Sequence, residues 1–128
     1  MIYLDTSVAL AHLLAEDRVP PTALWSEALC SSRLLEYELW IRIHSRGLSK
    51  SHGEQVRALV GRLALLELER DVLARAVEPF PTVVRTLDAL HLASVEFLRT
   101  QGQKVVLATY DERMSKAASA LGIPRYPL

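Results

Sequence analysis

The chain has a single cysteine, Cys30, among 128 residues. An internal disulfide and a cysteine-built zinc site are therefore both excluded. Neither sign of charge is in excess: 15 Lys plus Arg stand against 15 Asp plus Glu. No global field draws such a chain to nucleic acid, so any nucleic-acid role must rest on a local site. No stretch approaches the roughly 20 apolar residues of a membrane-spanning helix. The opening Met1-Ile2-Tyr3-Leu4 runs directly into Asp5, without the basic start and long apolar run of a secretory signal. Repeats, low-complexity tracts and linkers are also missing. What is present is apolar bulk: half of the residues are hydrophobic, too many for compositional disorder. A chain of this length buries roughly two-thirds of its unfolded surface, enough for a core without staples. The expectation is one domain over residues 1–128, soluble, in a reducing cytoplasmic setting, with no membrane association.

Hydrophobic spacing and chain breakers divide the sequence into short elements. Residues 2–4 form a β-prone run, and a helix is expected over 8–15. Pro20-Pro21 breaks the chain, a helix resumes over 23–29, and 29–32 reads as a weak strand. Leu34, Leu35, Leu39 and Ile43 recur at helical spacing within a helix over 33–44. Gly47 closes it, and a further helix follows over 49–62. A strand over 64–68 and a short helix over 71–77 precede Pro79 and Pro81. The clearest helix covers 86–100, with Gly102 just beyond its end. A strand over 104–108, a helix over 112–121 and a possible last strand over 123–128 complete the chain. Strands alternating with helices predict an α/β fold with a mainly parallel sheet. In such sheets, sites form outside the carboxyl ends of the strands.

Carboxylates mark those ends. Asp5 follows the first strand, and Asp111 lies three residues beyond Ala108. Asp88 falls in the first turn of the longest helix, and Glu36 and Glu38 in the first turns of the helix after Cys30. If these acids converge, two charges about 4 Å apart repel by roughly 4 kcal/mol at an effective dielectric of 20. No cation directly adjoins them in sequence, so a divalent ion is the expected counter-charge. Oxygen ligands suit Mg²⁺ or Mn²⁺. Helix capping and the macrodipole explain an acid at each of these positions about equally well. Asp5 is the exception, because Thr6 or Ser7 can cap the following helix without it.

The segments Ile2-Tyr3-Leu4-Asp5-Thr6-Ser7, Ser32-Arg33-Leu34-Leu35-Glu36-Tyr37-Glu38-Leu39, Thr86-Leu87-Asp88-Ala89-Leu90-His91-Leu92-Ala93 and Ala108-Thr109-Tyr110-Asp111-Glu112-Arg113-Met114 resemble the blocks of PIN domains, VapC-type toxins above all. Their order and spacing match over nearly the whole chain. Each block alone is weak; Asp-Ala-Leu-His-Leu-Ala is the strongest. The resemblance implies a three-layer α/β/α sandwich around a parallel sheet, with an acidic pocket that uses Mg²⁺ or Mn²⁺ to cut RNA. It implies catalytic and metal-binding roles for Asp5, Glu38, Asp88 and Asp111. Glu38 is favoured over Glu36 by alignment on the second block. The two lie about 200° apart around a helix and cannot share a pocket. Thr6 and Thr109 fall at the family's supporting hydroxyl positions, although turn and cap chemistry also accounts for them.

The function so implied is a metal-dependent endoribonuclease, the toxin of a toxin–antitoxin pair, which cuts RNA with metal-activated water. A cognate antitoxin and a homodimer are the implied partners. The apolar faces of 23–29 and 34–43 are candidate docking surfaces. Arg42, Arg85, Arg113 and Lys116 flank the motifs and are candidates for gripping phosphates, although scattered basic residues are more often plain surface. Alternative readings are a PIN nuclease of RNA processing and a non-catalytic PIN-fold binding module. A haloacid-dehalogenase-type phosphatase would want a second Asp where Ser7 stands. His91, three residues after Asp88, is expected to be structural. His12, His44 and His52 have no zinc spacing, and Cys30 is expected to be buried and inert. Trp25, Tyr37 and Trp40 are expected in packing rather than base stacking.

Overall fold

Alternation along the first strand decides the layering. In β1 (Ile2–Leu4), Ile2 and Leu4 enter one hydrophobic cluster while Tyr3 enters another. This is the period of a strand buried on both faces. β2 (Leu29–Ser32) repeats it, with Leu29 on the first side and Cys30 on the second. β4 (Val106–Ala108) does the same with Ala108 and Leu107. β3 (Ala64–Leu66) is the half-exposed edge. The computed structural model describes residues 1–128. All strand pairs are parallel, in the order β3-β2-β1-β4.

The first cluster is filled from α1 (Thr6–Leu13), α2 (Arg33–Ser45) and α3 (Ser49–Gly61), through Val8, Leu35, Leu39 and Val56. The second is filled from α5 (Thr86–Thr100) and α6 (Glu112–Ala120), through Leu92, Val95, Met114 and Ala117. α4 (Arg70–Ala76) packs on α5. The result is the expected three-layer α/β/α sandwich. Strand order turns back at β1: the chain runs outward to β3 on one side, then places β4 on the other. The carboxyl edge beside such a switch point opens as a crevice. No helix is long and apolar enough to cross a membrane.

Several boundaries depart from the sequence expectation. α1 begins at Thr6 rather than 8, because Asp5 is already in the extended conformation of an N-cap. The helix expected over 23–29 is a 3-10 turn, Thr22–Ser26. Leu29 opens the strand expected over 29–32, opposite Ile2. The larger aliphatic residues of this segment, Leu24 and Leu29, are buried in the core rather than presented as a docking face. The strands expected over 64–68 and 104–108 shorten to three residues each. Residues 123–128 add only a bridge between Leu107 and Arg125. Pro124 and Pro127 lack the N–H groups a ladder needs. Gly102, at φ 85, supplies the left-handed residue that ends α5.

Candidate active site

Asp5 leaves β1 with its N–H still bonded to the Ala108 carbonyl at 2.9 Å, so the sheet itself aims it. Its side chain caps nothing in α1. Instead, Oδ2 accepts from Ser7 Oγ at 2.6 Å and from Thr109 Oγ1 at 2.8 Å. Both bonds fall on one oxygen, and Oδ1 keeps its lone pairs. Asp5 is only 4% exposed. A buried carboxylate is costly unless hydrogen-bonded, and these two hydroxyls offset part of that cost. They also tie the β4–α6 loop to α1: Ser7 Oγ accepts from the Tyr110 N–H and Thr109 Oγ1 from the Asp111 N–H, each at 3.0 Å.

Glu38 reaches the same place from α2. Its Oε1 accepts from Thr6 Oγ1 at 2.9 Å and lies 2.6 Å from His91 Nε2. His91 is buried, and its Nδ1 lies 2.8 Å from the hydroxyl of Tyr3, which is fully buried. Burial pushes the Tyr3 phenol up, far from ionisation. Tyr3 can therefore donate to Nδ1, which leaves the Nε2–H to donate to Glu38. Burial by itself lowers the His91 pKa. The Glu38 bond and the charges of Asp5, Glu38 and Asp88 outweigh burial, and the net shift is upward. The histidine expected to be merely structural is thus in direct contact with a site carboxylate. Its only signal in the sequence was its place three residues after Asp88.

Asp88 and Asp111 stand at the other end. Asp111 does cap its helix: Oδ1 accepts from the Arg113 N–H at 2.8 Å and the Met114 N–H at 3.1 Å. Its Oδ2 accepts from the Arg85 guanidinium. Asp88 Oδ2 accepts from Arg85 Nε at 3.1 Å. Burial raises the Asp88 carboxyl; Arg85 opposes that shift, while Asp111 and Asp5 add to it.

Asp5, Glu38, Asp88 and Asp111 all line one cleft of about 440 Å³, with Thr6, Ser7, Arg42 and Arg85. Thr109 touches it through Asp5. Glu36 lies outside, paired with Arg33 at 3.1 Å. Arg113 and Lys116 are exposed on α6 and do not line the cleft. No cation directly adjoins the acids in sequence, but the fold brings one to them: Arg85 bridges Asp88 and Asp111. No three of the His, Cys, Asp and Glu side chains close on one ion-sized point. Cys30 is buried, as expected. The apolar stripe of α2 expected as a second docking surface, Leu34, Leu35, Leu39 and Ile43, is likewise buried in the core, whereas Tyr37 and Ile41, on its other face, are exposed. Trp40 stacks on His44 and also faces Arg57.

A parallel three-layer sandwich whose switch-point crevice is lined by four carboxylates defines an acidic-cleft α/β protein. The chain belongs to the PIN-domain family, whose profile matches residues 2–120. It is similar to three ribonucleases of Mycobacterium tuberculosis. Ribonuclease VapC46 is 32% identical over 125 residues, 95% of this chain and 93% of the relative. Ribonuclease VapC35 is 30% identical, covering 96% and 93%. Ribonuclease VapC47 is 29% identical, covering 95% and 93%. A solved toxin–antitoxin complex from Klebsiella pneumoniae contains a chain of the same fold, with a TM-score of 0.68 at 16% identity, covering 90% of this chain and 91% of that one.

Proposed function

We propose that this protein is a divalent-metal-dependent endoribonuclease acting as the toxin of a cytoplasmic toxin–antitoxin pair. The observation that carries the reading is the buried Asp5 at the sheet switch point, oriented by two hydroxyls and spent on no cap. Full-length similarity to VapC ribonucleases supports it. The donor set fits Mg²⁺ or Mn²⁺: it is all oxygen, and such ions take one or two carboxylates and keep several waters. Asp5, Glu38 and Asp88 would hold the ion directly or through its waters, and Asp111 would complete the cluster. When bound, it would polarise a phosphoryl oxygen and make water a competent nucleophile.

The chain's own residues supply position and charge. Ser7 and Thr109 fix the Asp5 carboxylate in one rotamer. Thr6 and His91 do the same for Glu38, so neither acid must reorganise when RNA arrives. Arg42 lines the cleft and offers a cation to a phosphate beside the acids. Because these groups meet the backbone of the RNA, choice of target falls to the surrounding surface, which would select accessible loops or single strands. An antitoxin segment covering this cleft and a homodimer complete the reading. The exposed Tyr37 and Ile41 face of α2 suits one of those contacts.

The test is incubation of the partner-free protein with structured RNAs in Mn²⁺ or Mg²⁺, beside an EDTA control and Asp5→Asn. Cleavage is expected only with metal and wild-type protein, and Asp5→Asn is expected to fold normally and fall to background. A well-folded Asp5→Asn protein with full activity would overturn the assignment.

A further inference from the structure

Arg85 occupies a position that helix formation does not explain. It is the N-cap of α5, its side chain caps nothing, and arginine is not among the residues that cap well. Its positive charge also sits at the positive end of the helix macrodipole. What Arg85 gains is the acids. Nε donates to Asp88 and the terminal guanidinium to Asp111, so one side chain joins the start of α5 to the start of α6. The two carboxylates are 15% and 18% exposed, while Arg85 is 59% exposed. Both acids therefore face their counter-charge from within the protein, and that counter-charge is free to swing into solvent.

We propose that Arg85 is a built-in counter-cation of the cleft, competing with a divalent ion for Asp88 and Asp111. Without the ion, the guanidinium offsets the mutual repulsion of Asp5, Asp88 and Asp111, which is felt at Asp88. For the ion to take these carboxylates, Arg85 must release them. The contact thus sets the metal concentration at which the cleft fills.

This inference rests on the metal-dependent reading above, and one titration separates the two. Mn²⁺ binding is measured by calorimetry for wild type, Arg85→Gln and Arg85→Lys, each checked for folding by circular dichroism. Arg85→Gln is expected to bind Mn²⁺ about fivefold tighter, the scale of one partly exposed charge at contact distance. Arg85→Lys keeps the charge but loses the two-pronged fork, and is expected to fall between. In thermal melts, Arg85→Gln is expected to be less stable than wild type in EDTA, with the gap closing in saturating Mn²⁺. Equal or weaker binding by a folded Arg85→Gln would overturn the counter-cation role and leave the nuclease reading standing. If none of the three proteins binds Mn²⁺, both fall.

Discussion

The two ends of the cleft solve one electrostatic problem in opposite ways. At the Glu38 end the charge is held by buried groups: Thr6, and His91 backed by Tyr3, with His91 at 1% exposure. At the Asp88–Asp111 end the charge is held by Arg85, which is more than half exposed to solvent. Buried hydrogen bonds in low dielectric are expensive to leave unmade. Surface ion pairs contribute little and are screened by salt. The cleft is therefore rigid at one end and adjustable at the other. Under the proposed function, in which the cleft admits an ion and a polyanion, one end would fix geometry and the other would exchange partners.

The sharpest way to break this contrast is His91→Ala. It strips Glu38 and the Tyr3 hydroxyl of a shared partner and leaves a cavity beside the sheet. A loss of about 2–4 kcal/mol is expected, read as a lower urea midpoint at unchanged slope. Arg85→Gln, measured the same way without metal, is expected to move the midpoint far less. If the two variants shift it equally, the distinction between a dry end and an open end is lost.

These two residues also mark where the sequence ran out. Asp5 was legible because a strand followed at once by an acid needs only local reasoning, and α5 was legible because Thr86–Thr100 carries a long, regular apolar period. The choice of Glu38 over Glu36 came from the family resemblance, and the geometry places Glu38 in the cleft and Glu36 on Arg33. His91 was read as structural because its partner lies 53 residues away on another helix, a contact no local pattern encodes. Arg85 is, from sequence, one of four basic residues offered either to phosphate or to plain surface; its bond to Asp111, 26 residues on, depends on α5 and α6 starting side by side. The helix expected over 23–29 shrinks to the 3-10 turn Thr22–Ser26, because the strand over 29–32 follows at once and leaves too few residues for a regular helix.

A smaller effect sharpens the picture of the dry side. Cys30 shares a cluster with Tyr3 beneath the sheet, and burial pushes its thiol from 9.0 up to about 11. A raised thiol keeps its proton in the folded state while the unfolded chain loses it. Stability from this group is thus complete below about pH 9 and declines as pH rises toward 11, by about 1 kcal/mol at pH 10. Urea midpoints of wild type and Cys30→Ser, compared from pH 8 to pH 10, check the slope. A wild-type protein no more pH-sensitive than the variant would mean that solvent reaches the layer beneath Tyr3. At pH 8 the native thiol is expected to resist alkylation with or without Mn²⁺, since Cys30 is buried and does not line the cleft.

The least disruptive change tests which glutamate belongs to the cleft. Glu36 is bound only to Arg33, which is 47% exposed and shared with Glu67 at 2.9 Å. Glu36→Gln is expected to leave the urea midpoint, Mn²⁺ affinity and RNA cleavage at wild-type values. Glu38→Gln is nearly isosteric, yet it removes the charge that His91 and Thr6 converge on. It is expected to weaken Mn²⁺ binding and cleavage together while the fold persists. The pair differs by two positions on one helix, so composition, helix propensity and overall charge are matched between the variants. Only the face differs. Loss of metal binding in Glu36→Gln with retention in Glu38→Gln would mean that α2 presents its opposite face to the ion, and the rigid end of the cleft would have to be rebuilt around Arg33.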